Sequence, residues 1–226
     1  MIRHVAPEML DSLPADDARA VGSRRDLVRV NALMGNVGIV AGALRATLPR
    51  REARVAELGA GDGRFAARVL QRVGCSGRVT LVDREARPDP RALELLGANG
   101  WQAQGARLDV FEWFRSGAAE GLDAIFVNLF LHHFDDAPLA ELLRAAARAA
   151  PVFVACEPRR SGVALAGARM LGLIGCNAVT RHDAVVSVRA GFADDELSRL
   201  WPERERWTID EGARRLFSHT FVARRR

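Results

Sequence analysis

Residues 55–63 read Val-Ala-Glu-Leu-Gly-Ala-Gly-Asp-Gly, three glycines at alternate positions between an apolar run and an amphipathic stretch. The run Ala53 to Leu58 has the length of a strand, while Phe65, Val69, Leu70 and Val73 recur at the 3.6-residue period of a helix. Strand, tight loop and helix are expected in that order. Glycine takes positive φ and carries no Cβ, so the backbone of such a loop can approach a ligand closely, and glycine loops that open helices commonly cradle nucleotides. A dinucleotide loop reads Gly-x-Gly-x-x-Gly and meets a pyrophosphate at the helix N-terminus. Here the order is Glu-x-Gly-x-Gly-x-Gly, with Glu57 at the strand end. A carboxylate there repels a pyrophosphate and suits a cationic or amino-bearing ligand.

A chain of 226 residues, 49% hydrophobic and 27% charged, has the size and composition of one α/β domain with a terminal embellishment. No apolar run approaches the ~20 residues of a spanning helix, and Met1 to Leu13 lacks the layout of a signal peptide. A cytoplasmic protein without stable membrane insertion is expected. Cys75, Cys156 and Cys176 are odd in number and show no metal-ligand spacing, so they read as reduced structural thiols, and no metal site is expected. The net charge of +5 is carried by arginine alone, for the sequence contains no lysine. A basic balance invites a nucleic-acid reading, but the arginines are interspersed with Asp and Glu, and only Arg224 to Arg226 form a run of three.

Further strands follow the loop. Arg78 to Asp83 is apolar and ends in an acid about 20 residues beyond the glycines, the spacing of a ribose-binding carboxylate whose two oxygens accept from vicinal hydroxyls. Asp83, with Arg84 beside it, is read that way, the alternative being a cap or turn acid. Ala103 to Val110 reads as a third strand ending at Asp109, and Leu122 to Phe130 as a fourth, passing through Asn128 into Leu131-His132-His133-Phe134-Asp135-Asp136. Polar residues directly after an apolar strand sit where open α/β sheets bind ligands. Val152 to Pro158 is a fifth strand; Glu157 at its end is read as a surface ion-pair partner of Arg159 or Arg160, with orientation of a histidine or binding of substrate as the alternatives. Arg206 to Gly212 and Arg215 to Ala223 flank a short turn and read as a closing hairpin.

The segment Val55 to Leu70 resembles the first motif of class I methyltransferases that use S-adenosylmethionine, and the ordered segments extend the resemblance over residues 53–223. The resemblance implies a Rossmann-like, seven-stranded mixed sheet with an antiparallel last strand and helices on both faces. It implies S-adenosylmethionine as cofactor, held by Glu57, Gly59, Gly61, Gly63, Asp83, Arg84, Asp109, Val110 and Asn128. In the family an acid at Asp109 accepts from the adenine amino group and the next backbone N–H, of Val110, serves a ring nitrogen; Asp109 can equally cap the helix that starts at Phe111. Residues 1–50 would form a helical lid or arm ahead of a methyltransferase domain spanning 51–226, with a helical insertion at about 159–190. Asn31, Met34 and Asn36 in the lid, and His182 and Arg189 in the insertion, are substrate-contact candidates; a plain amphipathic cover and a solvated turn are the alternatives.

Leu-His-His-Phe resembles the corresponding segment of small-molecule methyltransferases, including sugar and phenol O-methylating ones. An imidazole with an ordinary pKa near 6.5 can take a hydroxyl proton at neutral pH; His133 is favoured over His132, and positioning without any base is the alternative. The Asn/Asp-Pro-Pro-aromatic segment of enzymes that methylate amino groups of bases is missing after Asn128, as is a Pro-Cys nucleophile. The expected reaction is methyl transfer to a small molecule, at oxygen, without nucleic acid as partner. C-methylation of a quinone or lipid-like ring, or a cofactor-binding scaffold without turnover, are the alternatives.

Overall fold

The computed structural model describes residues 1–14, 16–48, 52–85 and 88–226. The boundary expected at residues 50 and 51, and two residues of the connection after Asp83, lie outside these. Three helices come first, α1 (Met9–Ser12), α2 (Ala18–Met34) and α3 (Asn36–Thr47). Gly35, at φ +73°, both ends α2 and begins α3, so the break between them rests on a left-handed turn that glycine adopts at no steric cost. Alternation of strand and helix follows: β1 (Ala53–Leu58), α4 (Arg64–Leu70), β2 (Gly77–Val82), α5 (Pro90–Ala98), β3 (Trp101–Ala106), α6 (Val110–Arg115), β4 (Ala124–Asn128), α7 (Asp136–Ala149) and β5 (Val152–Pro158). Over the stretch read as an insertion lie α8 (Gly162–Met170), a 3₁₀ turn over Leu171–Ile174, and α9 (Ala178–Ala190). Helix α10 (Glu196–Leu200) and the strands β6 (Trp207–Arg214) and β7 (Ser218–Arg225) close the chain.

The seven strands form one sheet in the order β3-β2-β1-β4-β5-β7-β6. The first five are parallel, with Val55 of β1 beside Val79 of β2 and Ala124 of β4, and β7 runs antiparallel between β5 and β6. Strand side chains alternate between faces, and the core divides accordingly. Ala56, Leu58, Ile125, Val127 and Phe153 pack with Trp113, Leu139, Leu143 and Trp201 on one face. Val55, Val79, Leu81, Phe126 and Val154 pack with Val40, Leu44, Leu70 and Leu96 on the other. Helix α3 is thereby part of the core rather than a cover over it. The third strand starts and ends earlier than the apolar pattern predicts, at Trp101–Ala106, and most of its side chains reach solvent. It is the edge strand, so little of it had to be apolar, and Asp109 falls on the loop beyond it.

From β1 the chain builds outward through β2 and β3, then returns to place β4 on the other side of β1. The crevice beyond the carboxyl ends of β1 and β4 is the position at which open α/β sheets bind ligands.

Candidate active site

The glycine loop lies at the end of β1. Gly59, Gly61 and Gly63 all have positive φ, +67°, +56° and +74°. A Cβ on Gly59 would run into the Phe130 ring, and one on Gly63 would come 2.8 Å from Leu81, whereas one on Gly61 would meet nothing within 4 Å. Two glycines thus permit close packing, and the third lies open to a ligand. Asp83 Oδ2 accepts from the Gly61 N–H at 2.9 Å and Oδ1 from the Glu85 N–H at 2.9 Å, which fixes the carboxylate beside the loop. Glu57 is buried, and its Oε2 has no hydrogen-bond partner. Burial, then the nearby Asp62 and Asp83 charges, push its carboxyl well above the ordinary range, against a hydrogen bond from the Ala66 backbone. An orphaned buried acceptor and an open glycine cradle fit a ligand that brings its own positive charge and donors. Asp109 Oδ1 accepts from the Phe111 N–H at 2.8 Å and caps α6, leaving its second oxygen outside this cap bond. Val110 is the buried first residue of that helix. Arg84 points to solvent beside Glu85.

At the end of β4, Asn128 belongs to a buried polar cluster. Asn36 Nδ2 donates to Asn128 Oδ1 at 2.8 Å, Asn128 Nδ2 to Asn31 Oδ1 at 3.0 Å, and Ser218 Oγ to Asn36 Oδ1 at 2.7 Å. Asn36 is fully buried and Met34 nearly so. These residues tie α2 and α3 to the strand ends; of the three lid candidates, Asn31 keeps partial exposure.

Beyond Asn128 the chain turns sharply. Leu129 takes φ +53°, a left-handed conformation that costs a non-glycine residue of order 1–2 kcal/mol, and its N–H bonds to Cys156 O at 3.0 Å. The turn lays Phe130 over Gly59 and leads into a 3₁₀ turn, Leu131–His133. Glu157 is not a surface ion-pair partner. It is fully buried, and its Oε1 accepts from the Phe130 and Leu131 N–H groups at 3.0 Å each, while Oε2 lies 2.8 Å from His132 Nδ1. Arg160 pairs with Glu196 instead. Strand β5 ends one step from this turn, so a carboxylate there satisfies backbone donors that no strand partner reaches.

The second partner of His132 comes from the N-terminal arm, whose role no residue pattern signals. Glu8 Oε1 lies 3.4 Å from His132 Nε2 and also accepts from Ser187 of α9. The arm is fastened on both sides of Glu8: Asp183 accepts from the Met9 and Leu10 N–H groups, the His4 N–H donates to Arg189 O, and Arg3 bonds to Asp136, Phe134 O and Ala190 O. Burial alone would lower the His132 pKa, but hydrogen bonds to Glu157 and Glu8 outweigh it and raise the value to about 9. His133 stacks on His132 with ring centroids 4.3 Å apart. Its pKa is lowered by burial and then by the His132 charge, and its side chain is 30% exposed against 3% for His132. One oxygen or nitrogen each of Glu8, His132 and His133 lies within 4.8 Å of the others. The insertion candidates stand apart from the pair: His182 is half exposed and bonds to Asp183, and the Arg189 side chain is exposed.

A mixed seven-stranded sheet with β7 between β5 and β6, and a glycine loop followed by a paired acid, make up the fold of class I methyltransferases. Residues 55–150 match the family described as methyltransferase domain. No curated protein matches the chain by sequence. Among solved structures, the plantazolicin methyltransferase BpumL in complex with SAH superposes with TM-score 0.67 at 12% identity, over 93% of this chain and 92% of that one. An O-methyltransferase family protein from Burkholderia thailandensis gives 0.65 at 18% identity, over 93% of this chain and 61% of that one. Magnesium protoporphyrin IX methyltransferase from Synechocystis PCC 6803 with bound SAH gives 0.55 at 15%, over 85% and 83%. The chain carries a methyltransferase domain over residues 55–150 and shares its fold with methyltransferases solved with SAH bound, which marks an enzyme whose cofactor is S-adenosylmethionine. No helix among the described residues is long and apolar enough to cross a membrane; α2 and α3 together reach the length only across a 62° bend.

Proposed function

We propose that the enzyme methylates a hydroxyl oxygen of a small-molecule acceptor, with His132 taking the acceptor's proton. The observation that carries this reading is the 2.8 Å contact between His132 Nδ1 and the buried Glu157 carboxylate. A carboxylate on Nδ1 fixes ring orientation and tautomer, and leaves Nε2 to exchange a proton. Nε2 lies at the carboxyl end of β4, on the loop whose Phe130 covers Gly59. Its present partner, Glu8, sits at 3.4 Å, beyond the usual range for a good hydrogen bond. An acceptor hydroxyl entering there displaces Glu8. With both carboxylates against it, His132 is held at about 9 and is protonated at neutral pH; removal of one brings it down toward the range where it accepts a proton.

Glu57, Gly59, Gly61, Gly63, Asp83, Asp109, Val110 and Asn128 would hold S-adenosylmethionine, which supplies an activated methyl group on a sulfonium. Asp83 would accept from the ribose hydroxyls with the lone pairs that its two backbone bonds leave. The buried Glu57 carboxyl would meet the positive end. Structural neighbours include methyltransferases for plantazolicin and for magnesium protoporphyrin IX, and the pyocyanin biosynthetic protein PhzM, which supports a small or peptide-like acceptor. A second reading rests on His133, whose lowered pKa and greater exposure would make it the base beside a fixed His132 cation.

The test measures turnover on a panel of phenols and hydroxylated ring compounds with His132→Gln and His133→Gln, beside SAH affinity by calorimetry. The expected result is a kcat loss of roughly 10²–10⁴-fold for His132→Gln with SAH affinity unchanged. Loss confined to His133→Gln exchanges the roles, and full turnover in both variants sinks proton abstraction altogether. Asp83→Ala should weaken SAH binding at least about tenfold, the loss of roughly 1.4 kcal/mol; unchanged affinity would remove the ribose assignment.

A further inference from the structure

Helix α8 and the 3₁₀ turn after it bury one side and expose another. Ala164 and Ala168 pack against Val188, with Leu165 and Phe217 beside them. Val163, Met170, Leu173 and Ile174 face solvent, Leu173 with 79% of its surface exposed. Two more exposed leucines come from elements that meet this helix directly or through α9. Leu216 sits at the tip of the β6–β7 hairpin, next to Phe217, which packs on Gly167 of α8. Leu33 lies in the last turn of α2, whose end at Gly35 is against Arg215 of the same hairpin. Helix α2 is joined to the start of α9 through Asp26 and the Asn177 N–H at 2.8 Å. Four large aliphatic side chains exposed within twelve residues, Val163 to Ile174, are unusual for a surface with no partner.

The charges around them are mostly positive. From Arg159 to His182 the chain contains no Asp or Glu, and Arg169 and Arg181 are exposed there. Helix α2 adds exposed Arg24, Arg25 and Arg29 against a single acid, Asp26, which is buried. A second copy of the chain meeting this face about a two-fold axis would set arginines against arginines. Single-stranded nucleic acid would need rings for its bases to stack on, and none of the exposed large hydrophobic residues among those described is aromatic. An apolar strip set among cations is the surface that lies in the headgroup layer of an anionic bilayer, with aliphatic side chains inserted and basic ones outside.

We propose that this face docks the enzyme on an anionic phospholipid surface, with Met170, Leu173 and Ile174 entering the headgroup layer. Attachment is peripheral, since no single helix among the described residues is long and apolar enough to span. It uses residues outside the glycine loop and the histidine pair, so it stands or falls independently of the acceptor chemistry.

The experiment is flotation of the whole protein with vesicles of phosphatidylcholine alone and of phosphatidylcholine with phosphatidylglycerol, at low and high salt. Two double variants accompany it, Leu173→Ser with Ile174→Ser, and Arg169→Gln with Arg181→Gln. Melting temperature and SAH affinity report whether each variant is folded. The expected result is binding to the anionic vesicles only, weakened by salt, and reduced roughly fivefold per arginine removed and at least about tenfold by the serine pair. Absence of binding to anionic vesicles at low salt overturns the proposal, as does equal binding by folded variants. So does a dimer in light scattering that the serine pair abolishes, or RNA binding with the same arginine dependence in place of vesicle binding.

Discussion

Glu8→Gln keeps the shape of the arm's side chain and removes one of the two carboxylates that face His132. The wild-type imidazole is held at about 9, from an ordinary 6.5, by Glu157 at 2.8 Å and Glu8 at 3.4 Å, against the cost of burial. An opposite charge at this range is worth about 1–3 pKa units, and Glu8 is the more distant partner. The variant's His132 should therefore titrate about one unit lower. A raised pKa contributes stability that is complete below about 6.5 and is lost as pH climbs through the folded-state value. At about 1.4 kcal/mol per unit, the wild type loses roughly 3 kcal/mol from this group between pH 6.5 and 9, and the variant about 1 kcal/mol less. The stability gap between the two proteins should thus shrink by that amount as pH rises. Urea unfolding at both pH values, with His132 followed through its ring carbon by NMR, measures both quantities. A gap independent of pH together with an unmoved His132 titration would refute the idea that the arm holds the proton on that ring.

Gly59→Ala should destabilise the protein by about 1–3 kcal/mol and abolish detectable SAH binding, because a methyl group there meets the Phe130 ring at a positive φ; calorimetry and thermal melting read this, and normal SAH affinity would contradict it. Asn36→Ala leaves Asn128, Asn31 and Ser218 without their shared partner and should cost about 1–3 kcal/mol in urea unfolding; a loss near zero would mean that water replaces the amide freely. Turnover should survive EDTA, because the His132 nitrogen that faces Glu8 carries a proton at neutral pH and a metal ligand must be deprotonated; inactivation reversed by a divalent cation would turn the Glu8, His132 and His133 cluster into a metal site.

Much of the architecture is written in local pattern. The glycine loop announces its own strand and helix, because the Gly59, Gly61 and Gly63 conformations are ones that other residues avoid. The central strands β4 and β5 are buried along their whole length, and continuous apolar runs are what such strands require. The edge strand β3 misleads for the same reason, since exposure relieves it of that requirement. Asp83 and Asp109 stand out by their distance to these landmarks; in the structure Asp83 accepts from the Gly61 and Glu85 N–H groups, and Asp109, three residues past its strand, caps α6.

The histidine site was legible only in part. His132 and His133 are marked by following an apolar strand, and the pattern favours the second of them slightly. What separates them is their neighbours. Glu157 lies 25 residues away and reaches His132 because β5 pairs with β4; Glu8 lies 124 residues away on an arm that crosses to α9. Residue order along the chain carries local conformation, in glycines, apolar periods and caps, because those depend on neighbours within a turn or two. Which imidazole holds a proton depends on charges within a few ångströms in space and on how far water is excluded from them, and that is settled only when sheet, insertion and arm have closed on one another.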